Sequence, residues 1–366
     1  MTMDERIILF GAGWKKDKLI EFIEKYGGFE IVEIWDNSSS RWGEKTTVRG
    51  YEVAATAPHD LQNYNIVIAS DVYFGEIKKQ LIEEFGIEEG RIKSGNYLFK
   101  NIKEEIISNY KDSCDESIIG ICRYLQNHDL DMLCGQVRRE YKREMFEIFR
   151  DENNGLFYSF WMGKKIYLAS AINSEQSARQ YLCALCREQD EDSPHSYHLG
   201  QLDLNGQDVV IDAGAAEGFF ALQIVDKVGK VYLVEGEEQW VKALRCTFEP
   251  FGDKVVIIPK WLGRQNNGEM VSIDQINKEN EVTLVKLDIE GAEEDAIAGG
   301  EETFASAKNM KVITCTYHKS EDAGKFEKYF KEKGYKTAFS KGYLFVDGLE
   351  FLKPELRKGV LTAIKD

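Results

Sequence analysis

The sequence has few of the residues that mark several common protein classes. It contains 5 prolines and 5 histidines in 366 residues, and its 7 cysteines are scattered and odd in number. Scattered cysteines do not form a disulfide framework, so we expect a reducing, cytoplasmic setting. So few histidines predict no multi-histidine site, and we expect no metal. No apolar run approaches the roughly 18 residues that cross a bilayer, so we expect no membrane insertion.

Basic residues are also in the minority. Lys and Arg number 47 against 63 Asp and Glu, which gives a formal net charge of -16. Because phosphate backbones are bound by basic patches, this balance argues against a nucleic-acid partner. The first ten residues, MTMDERIILF, are acidic and lead directly into a strand-like segment, so we expect no secretory signal.

The length suggests two or three domains, at about 100–200 residues each. Changes of pattern along the chain predict three segments: a Rossmann-like accessory domain at residues 1–98, a helical connector at 99–155, and a larger α/β domain at 156–366. In the first segment, short apolar runs alternate with helical spacing, which is typical of parallel βαβ units.

The first segment carries a weak nucleotide signal. The strand Ile7–Phe10 precedes Gly11-Ala12-Gly13, and Asp36 ends the second strand, but Lys16 stands where a third glycine would be. Trp35-Asp36-Asn37 and Arg41-Trp42-Gly43 resemble the N-terminal nucleotide-binding-like domain of some sugar-modifying acyltransferases and glycan enzymes. This domain is open to three interpretations: it binds a nucleotide sugar, presents the acceptor, or only forms a homodimer.

The third segment has the most regular pattern. It begins with a predicted hairpin, Phe157–Met162 and Ile166–Ala169, and a helix at about 174–189. Five parallel-type strands follow, and then a helix and a second predicted hairpin, Tyr335–Ser340 with Tyr343–Val346 around Lys341-Gly342. The strands are Val209–Asp212, Val231–Val234, Val255–Ile258, Leu284–Asp288 and Lys311–Thr316. An antiparallel ending differs from a dinucleotide dehydrogenase, whose sixth strand stays parallel.

We therefore predict an α/β protein with a class I methyltransferase doubly wound sheet that ends in an antiparallel C-terminal hairpin. A smaller N-terminal Rossmann-like α/β domain precedes it. In such a sheet the ligand lies at the carboxyl ends of the strands.

A glycine-rich turn predicts an adenosine ligand. VVIDAGAAEGFFAL, residues 209–222, places a strand, a turn and a helix in succession, and the next strand ends at Glu235, where an acid can accept both ribose hydroxyls. Asp212 and Glu217 would repel a pyrophosphate but suit S-adenosylmethionine (SAM), which carries a sulfonium and an amino group. The turn therefore favours SAM over NAD.

A second acidic turn follows the fourth strand. LVKLDIEGAE, residues 284–293, ends a strand at Asp288 and begins a helix with Glu290 and Glu293. DAGAAEG, VYLVEGEE, SIDQI and VKLDIEGAEEDAIAGG resemble the FkbM family of SAM-dependent methyltransferases in order and spacing. The resemblance covers about residues 156–345. It departs from the common methyltransferase pattern at Ala216, where a glycine is usual, and at Gly236, where a proline is usual.

The resemblance implies SAM as cofactor and O-methylation of a hydroxyl on a sugar or small metabolite, in glycan or natural-product modification. It implies cofactor contacts around the turn and at the acid after the second strand, and Asp288 and Glu290 beside the methyl donor or acceptor. The implied cofactor-binding residues are Asp212, Gly214, Ala215, Glu217, Gly218, Glu235, Asp274 and Asp288.

Three residues outside these motifs are candidates for the acceptor side. His318, after the fifth strand, lies at the same sheet edge as Asp288 and is the candidate general base, with Asp288 and Glu290 as further catalytic candidates. His195 and Tyr197 precede the first strand of the large sheet and could fold over the ligand as substrate contacts. A solvated loop histidine and a capped loop explain these positions equally well.

Other conspicuous residues have structural explanations. Cys183 and Cys186 form a CxxC on a helix, but no second ligand pair lies nearby in the sequence, so we interpret them as packing residues. Trp240 and Trp261 could stack on adenine, or lie in the core or at its rim. Two alternatives to the methyltransferase stay open: an NAD-dependent sugar-modifying enzyme that uses the first domain, and a non-catalytic scaffold that binds SAM or a nucleotide.

Overall fold

The computed structural model describes residues 4–11, 16–55, 64–70, 72–278, 280–346 and 353–365. Ala12 and Gly13 of the first glycine motif lie outside these residues. The chain forms two compact units, residues 1–134 with 347–355, and residues 135–346 with 356–366. This division follows compactness alone, and the three predicted segments stay a prediction.

The first unit is built on a parallel sheet. Its strands lie in the order β3-β2-β1-β4-β5, and every described pairing is parallel. This is the order of the first five strands of a doubly wound fold. The described elements are β1 (Glu5–Phe10), α1 (Lys16–Tyr26), β2 (Phe29–Trp35), β3 (Val53–Ala54), β4 (Asn65–Ile68), α2 (Phe74–Glu83), β5 (Ile92–Ser94), α3 (Lys100–Tyr110) and α4 (Glu116–Leu125).

The predicted connector is helical only in its first half. Asp115 begins α4 as its N-cap, because its carboxylate accepts the backbone N–H groups of Ser117 and Ile118. Residues 126–148, all described, contain no α-helix. The charged residues there lie on irregular chain, so the helical prediction was wrong for this stretch.

The second unit begins with a small antiparallel sheet. The predicted hairpin is confirmed, since the second and third strands of this small sheet pair antiparallel on either side of Met162 and Gly163. The helix that follows begins at Ser174, whose hydroxyl accepts the N–H of Ser177. These elements are β6 (Phe149–Arg150), β7 (Phe157–Trp161), β8 (Lys164–Tyr167) and α5 (Glu175–Glu188).

A seven-stranded sheet forms the centre of the second unit. Its strands lie in the order β11-β10-β9-β14-β15-β17-β16, parallel except for the pairings of β17. The elements are β9 (Val209–Ala213), α6 (Phe219–Ile224), β10 (Lys230–Val234), α7 (Glu238–Phe248), β11 (Val255–Ile258), β12 (Trp261–Leu262), β13 (Met270–Val271), α8 (Ile273–Asn277), β14 (Leu284–Leu287), α9 (Glu293–Ala298), α10 (Glu301–Ser306), β15 (Met310–Cys315), α11 (Asp322–Glu332), β16 (Lys336–Phe339) and β17 (Val360–Lys365).

This sheet confirms the predicted fold class. The chain starts in the middle at β9, moves out to β11, crosses to β14 and β15, and ends with an antiparallel pair. The direction of winding changes beside β9, and ligands in open α/β sheets bind where this happens. Strands such as β14 and β15 are buried along their whole length, as expected when helices cover both faces of a parallel sheet.

The antiparallel ending is made by a different strand from the predicted one. The partner of β16 is β17, which inserts between β15 and β16, and not Tyr343–Val346. Gln136 explains the difference, because its side-chain amide donates to the carbonyl of Tyr343 at 2.6 Å and accepts its N–H at 3.1 Å. The side chain thus takes the place of a hairpin partner at Tyr343.

A large hydrophobic cluster packs against the central sheet of the second unit. This cluster joins Ile211, Val285 and Val312 of the central strands to Phe304 and Phe330 of the helices. Among the helices that the structure describes, none combines the length and apolarity needed to span a bilayer.

Candidate active site

The candidate site lies where the central parallel strands end. Lys286 and Leu287 of β14 are in register with Asp212 and Ala213 of β9, so the two chains leave the sheet side by side. The same edge carries Glu235 after β10 and His318 beyond β15. The structure thus brings together acids that lie more than 70 residues apart in sequence.

The glycine turn after β9 is tightly packed. Gly214 has φ 67°, and a Cβ on it would lie 1.9 Å from the carbonyl oxygen of Asp288. Gly218 has φ 83° and is the N-cap of α6, and its Cβ would lie 2.4 Å from the ring of Phe248. Both positions require glycine, because the backbone has a positive φ and because neighbouring atoms leave no room for a Cβ. Ala216 between them also lies in the left-handed region, at φ 46°.

A buried ion pair joins β9 to β14. The Nζ of Lys286 lies 3.2 Å from Oδ1 of Asp212 and donates to the carbonyls of Gly214, at 2.9 Å, and Ala213, at 3.2 Å. Burial would lower the pKa of Lys286, but the Asp212 and Asp288 carboxylates outweigh it and keep the lysine charged. Lys286 lies in the segment that resembles the FkbM family, but the sequence does not show that it pairs with Asp212. Its buried position in β14 shows this.

The oxygens of Asp212 have no hydrogen-bond donor among the described residues, the ion pair with Lys286 apart. Asp212 is completely buried. A buried carboxylate without donors is costly, so this group is suited to a ligand that brings positive charge or N–H groups.

Two further acids surround the turn. Glu235 accepts the N–H of Ala216 at 3.0 Å and that of Glu237 at 2.8 Å, one on each oxygen. A carboxylate has roughly four acceptor positions, so capacity remains for a pair of hydroxyls. Glu217 accepts from the hydroxyl of Tyr181, and burial raises the pKa of Glu217, which Tyr181 partly offsets.

Asp288 lies among tyrosine and histidine side chains at this edge of the sheet. Its Oδ2 accepts from the hydroxyl of Tyr197 at 2.6 Å, its Oδ1 from that of Tyr317 at 3.4 Å, and Nε2 of His195 lies 3.8 Å from Oδ2. Burial alone would raise the pKa of Asp288, but Lys286 and the nearby imidazoles hold it well below its usual range. Asp288 is therefore an ionised hydrogen-bond acceptor.

The tautomer of His195 follows from its neighbour Gln189. The Gln189 amide oxygen accepts the N–H of Tyr197, and its nitrogen donates to the carbonyl of His195. That orientation is fixed by two backbone groups, so the amide nitrogen, 3.1 Å from Nδ1 of His195, donates to it. The proton of the neutral ring then lies on Nε2, which donates to the Tyr317 hydroxyl at 2.9 Å. Burial lowers the pKa of His195, which favours this neutral form.

His318 lies between two carboxylates. Its Nδ1 is 3.1 Å from Oε1 of Glu293, and its Nε2 is 3.4 Å from Oε2 of Glu290. Burial lowers the pKa of His318, but the two glutamates raise it to about 10. A histidine that is protonated at neutral pH cannot accept a proton, so this state does not suit the expected general base.

The structure does not bring Asp274 together with these groups. Its Oδ1 accepts the N–H and the hydroxyl of Thr303, at 2.8 and 2.7 Å, and its Oδ2 accepts the N–H of Glu302 at 3.2 Å. These bonds satisfy backbone N–H groups in the first turn of α10, which have no acceptor within the helix. The described contacts of Asp274 are therefore structural, in contrast to the expectation that it faces the cofactor.

The remaining candidates have mainly structural contacts. Cys183 donates to the carbonyl of Tyr141, and burial raises the pKa of Cys186 to about 12. Trp240 packs against Tyr181, with ring centroids 5.6 Å apart. Trp261 is 52% exposed, and its ring covers Gly236, on which a Cβ would lie 2.2 Å from the ring. This contact explains the glycine directly after Glu235.

Together these groups suit a cationic adenosine ligand. The turn supplies Asp212, Glu217 and Glu235, and only Lys286 opposes their charge among the described residues that touch them. SAM offers a sulfonium and an ammonium for this acidic surface and two ribose hydroxyls for Glu235. A pyrophosphate would be repelled by the same acids. The residues therefore fit SAM.

Comparison with known families agrees with this geometry. The methyltransferase FkbM domain matches residues 263–337, which include β14 and the Asp288–Glu293 turn. A second family, C2185-like, N-terminal, matches residues 3–93. The comparison with curated proteins finds no match.

Comparison with solved structures finds several methyltransferases with low similarity to part of this chain. A precorrin-6y C5,15-methyltransferase from Geobacter metallireducens GS-15 is 15% identical, with 46% of this chain and 86% of that chain covered and a TM-score of 0.33. A Streptococcus mutans protein assigned as a methyltransferase, in complex with SAH (S-adenosylhomocysteine), is 13% identical, with 44% of this chain and 91% of that chain covered and a TM-score of 0.32. A SAM-dependent methyltransferase from Aquifex aeolicus is 14% identical, with 45% of this chain and 85% of that chain covered and a TM-score of 0.30. Likeness at this level does not define a substrate.

Proposed function

We propose that this chain, a SAM-dependent methyltransferase with an FkbM domain, methylates a hydroxyl of a sugar or small metabolite in glycan or natural-product modification. The observation that carries the proposal is the partly buried, ionised Asp288, which accepts hydrogen bonds from two tyrosine hydroxyls. A neutral hydroxyl donor suits such a carboxylate. A net charge of -16 favours a small acceptor over a nucleic acid.

The glycine turn would hold the cofactor. We assign the methionine end to Asp212, Gly214, Ala215, Glu217 and Gly218, and the ribose to Glu235. When bound, SAM supplies an electrophilic methyl group on its sulfonium. Lys286 keeps the turn in place, because it joins Asp212 to the carbonyls of Ala213 and Gly214.

Asp288 would orient the acceptor. Its carboxylate accepts the hydrogen bond of the acceptor hydroxyl, and Tyr197 and Tyr317 hold it in place. His195 is a positioning residue, since its Nε2–H donates to Tyr317 and not to the acceptor. Tyr197 and Phe220 pack edge to face, which helps exclude water from this side. We retain Glu290 as a contact at the exposed rim.

Three further predictions stay part of this proposal. The first unit presents the acceptor or binds a nucleotide-linked form of it. A homodimer and a cytoplasmic location are predictions from the sequence alone.

The test is transfer of an isotope-labelled methyl group from SAM to a metabolite extract, read by mass spectrometry. We expect a labelled product whose fragmentation places the methyl on a hydroxyl oxygen. An RNA fraction serves as the parallel sample. Label in RNA alone, or in no product although SAH binds, would overturn the proposed acceptor and would favour an RNA substrate or the scaffold, respectively.

A further inference from the structure

We propose that Asp288, Glu293 and His318 form a binding site for one divalent cation of the Mn²⁺ type. The inference deepens the proposed function, because its catalytic consequence rests on the acceptor lying beside Asp288. Its structural basis is separate from the glycine turn.

The three side chains converge on one point. One ligand atom from each, a carboxylate oxygen or an imidazole nitrogen, lies within 4.8 Å of the other two. Ligands around a six-coordinate cation of this size are separated by roughly 3 to 4 Å, so small rotations suffice to close the set. Asp288 and His318 follow adjacent parallel strands, and Glu293 begins α9, so rigid elements hold all three.

Glu293 supplies the independent sign that a ligand is missing. The residue is completely buried, and its Oε1 accepts the N–H of Ile289 at 2.9 Å. Its Oε2 has no hydrogen-bond partner among the described residues. A buried carboxylate oxygen without a donor is costly, and a cation at this point would satisfy it.

The charge around the cluster points the same way. Asp322 is almost completely buried, and its Oδ1 also has no partner in the described part of the chain. Glu290 approaches His318 from the exposed side. Three carboxylates, those of Asp288, Glu290 and Glu293, therefore lie near the imidazole of His318, and the buried Lys286 is already held by Asp212 and two carbonyls.

A neighbouring combination is a poorer candidate. His195, Asp288 and Cys315 also converge, but both ring nitrogens of His195 are engaged, one with Gln189 and one with Tyr317. Two carboxylates and one imidazole suit Mn²⁺, since oxygen ligands favour hard cations and the imidazole disfavours Ca²⁺. Binding of the cation would displace one ring proton of His318 to solvent, because a nitrogen that ligates a metal is deprotonated.

A cation here would act on the acceptor. Asp288 would be shared between the cation and the acceptor side, so the acceptor oxygen could complete the coordination sphere. The cation would lower the pKa of that hydroxyl. The oxygen–hydrogen bond of the acceptor then breaks with its proton passing to solvent, the oxygen–methyl bond forms, and the sulfur–methyl bond breaks.

Calorimetric titration of the chelator-treated full chain with MnCl₂ tests the site directly. We expect one saturable site in the wild type, and Glu293→Gln to weaken it by at least about tenfold. Glu294→Gln is the matched control, because Glu294 is the next residue but pairs with Lys325. Its Mn²⁺ affinity is expected to equal that of the wild type.

A second measurement needs no stable Glu293 variant. Pulsed electron paramagnetic resonance of Mn²⁺ bound to the wild type should show coupling to an imidazole nitrogen, which His318→Gln removes. No saturable Mn²⁺ binding up to millimolar concentrations, equal affinities in the two glutamate variants, or no imidazole coupling would overturn the site. SAH binding is measured on the same samples without metal. If the wild type does not bind SAH, the result counts against the proposed function and not against the metal site.

Discussion

At the scale of single residues, the site depends on hydroxyl groups that hold Asp288. The Tyr197 hydroxyl donates to it at 2.6 Å, from a buried ring. Tyr197→Phe should reduce kcat for the labelled acceptor about 10- to 100-fold, because a hydrogen bond to a charged group contributes about 1.5–3 kcal/mol. The affinity for SAH should stay unchanged, since in the proposed function Tyr197 holds Asp288 for the acceptor and does not touch the cofactor.

The matched control is Tyr335→Phe, which removes a buried hydroxyl that donates to the carbonyl of Phe304. Steady-state kinetics and SAH titration of both variants provide the comparison. An equal loss of kcat in both would show that Tyr197 acts only through stability.

The cysteines are predicted to differ in reactivity. Burial raises the pKa of Cys186 to about 12, whereas Cys114 is exposed. Because the thiolate is the reactive form, a disulfide reagent at about pH 8 should modify Cys114 in the native protein far faster than Cys186. Peptide mass spectrometry at short reaction times measures this. Rapid modification of Cys186 would revive the CxxC as a redox or metal motif.

At the scale of elements, the amino ends of three central strands are tied by one aspartate. Asp208, just before β9, accepts from Lys311 of β15 at 3.0 Å and from Thr283, just before β14, at 2.7 Å. Asp208→Asn should lower the free energy of unfolding by about 3 kcal/mol, because it leaves the buried Lys311 without its counterion. Urea denaturation measures the loss.

The same pair predicts a pH dependence. Burial would raise the pKa of Asp208, but Thr283, Asn205 and Lys311 lower it overall. Its contribution is therefore complete above the ordinary aspartate pKa, about 3.9, and is lost as the pH falls through the lower folded value. The stability gap between wild type and Asp208→Asn should be widest near neutrality and narrow on acidification. A gap that widens in acid would contradict this.

The turn before α6 allows two effects of glycine to be separated. Gly218 and Gly334 both have positive φ, at 83° and 84°, but of the two only Gly218 would have a Cβ that meets another side chain, Phe248 at 2.4 Å. Gly334→Ala should cost about 1 kcal/mol from backbone strain alone, and Gly218→Ala more. Chemical denaturation and SAH titration compare them, and equal costs would mean that the helix contact has no energetic weight.

At the scale of the whole molecule, local patterns predicted the parallel strands of the large sheet but not the antiparallel strand that pairs with β16. The strands β9, β10, β11, β14 and β15 were recognisable because buried parallel strands are short apolar runs between helical segments. The partner of β16 was predicted wrongly, because β17 begins about 20 residues beyond β16 whereas Tyr343–Val346 follows it directly. Gln136 satisfies the backbone of Tyr343 from about 200 residues away, and no local pattern reports such a contact.

The candidate site also has one part that local patterns predicted and one part that they did not. Acids at strand ends could be predicted, since all parallel strands end at one edge and glycine turns have recognisable spacing. The roles of Lys286 and Glu293 could not, because each depends on which distant group faces it. Asp274 has contacts that its place in the motif did not predict, because its hydrogen-bond partners are in α10, and its contact with the cofactor stays a prediction.

The central claim is that the acidic turn between β9 and α6 binds a SAM-type ligand. Calorimetric titration of the full chain with SAH and with NAD tests it most directly, with Glu235→Gln and its exposed neighbour Glu237→Gln as a matched pair. We predict that SAH binds at one site, that Glu235→Gln weakens it by about tenfold or more, that Glu237→Gln does not, and that NAD does not bind. Binding of NAD without SAH, or equal SAH affinity in both variants, would contradict the account.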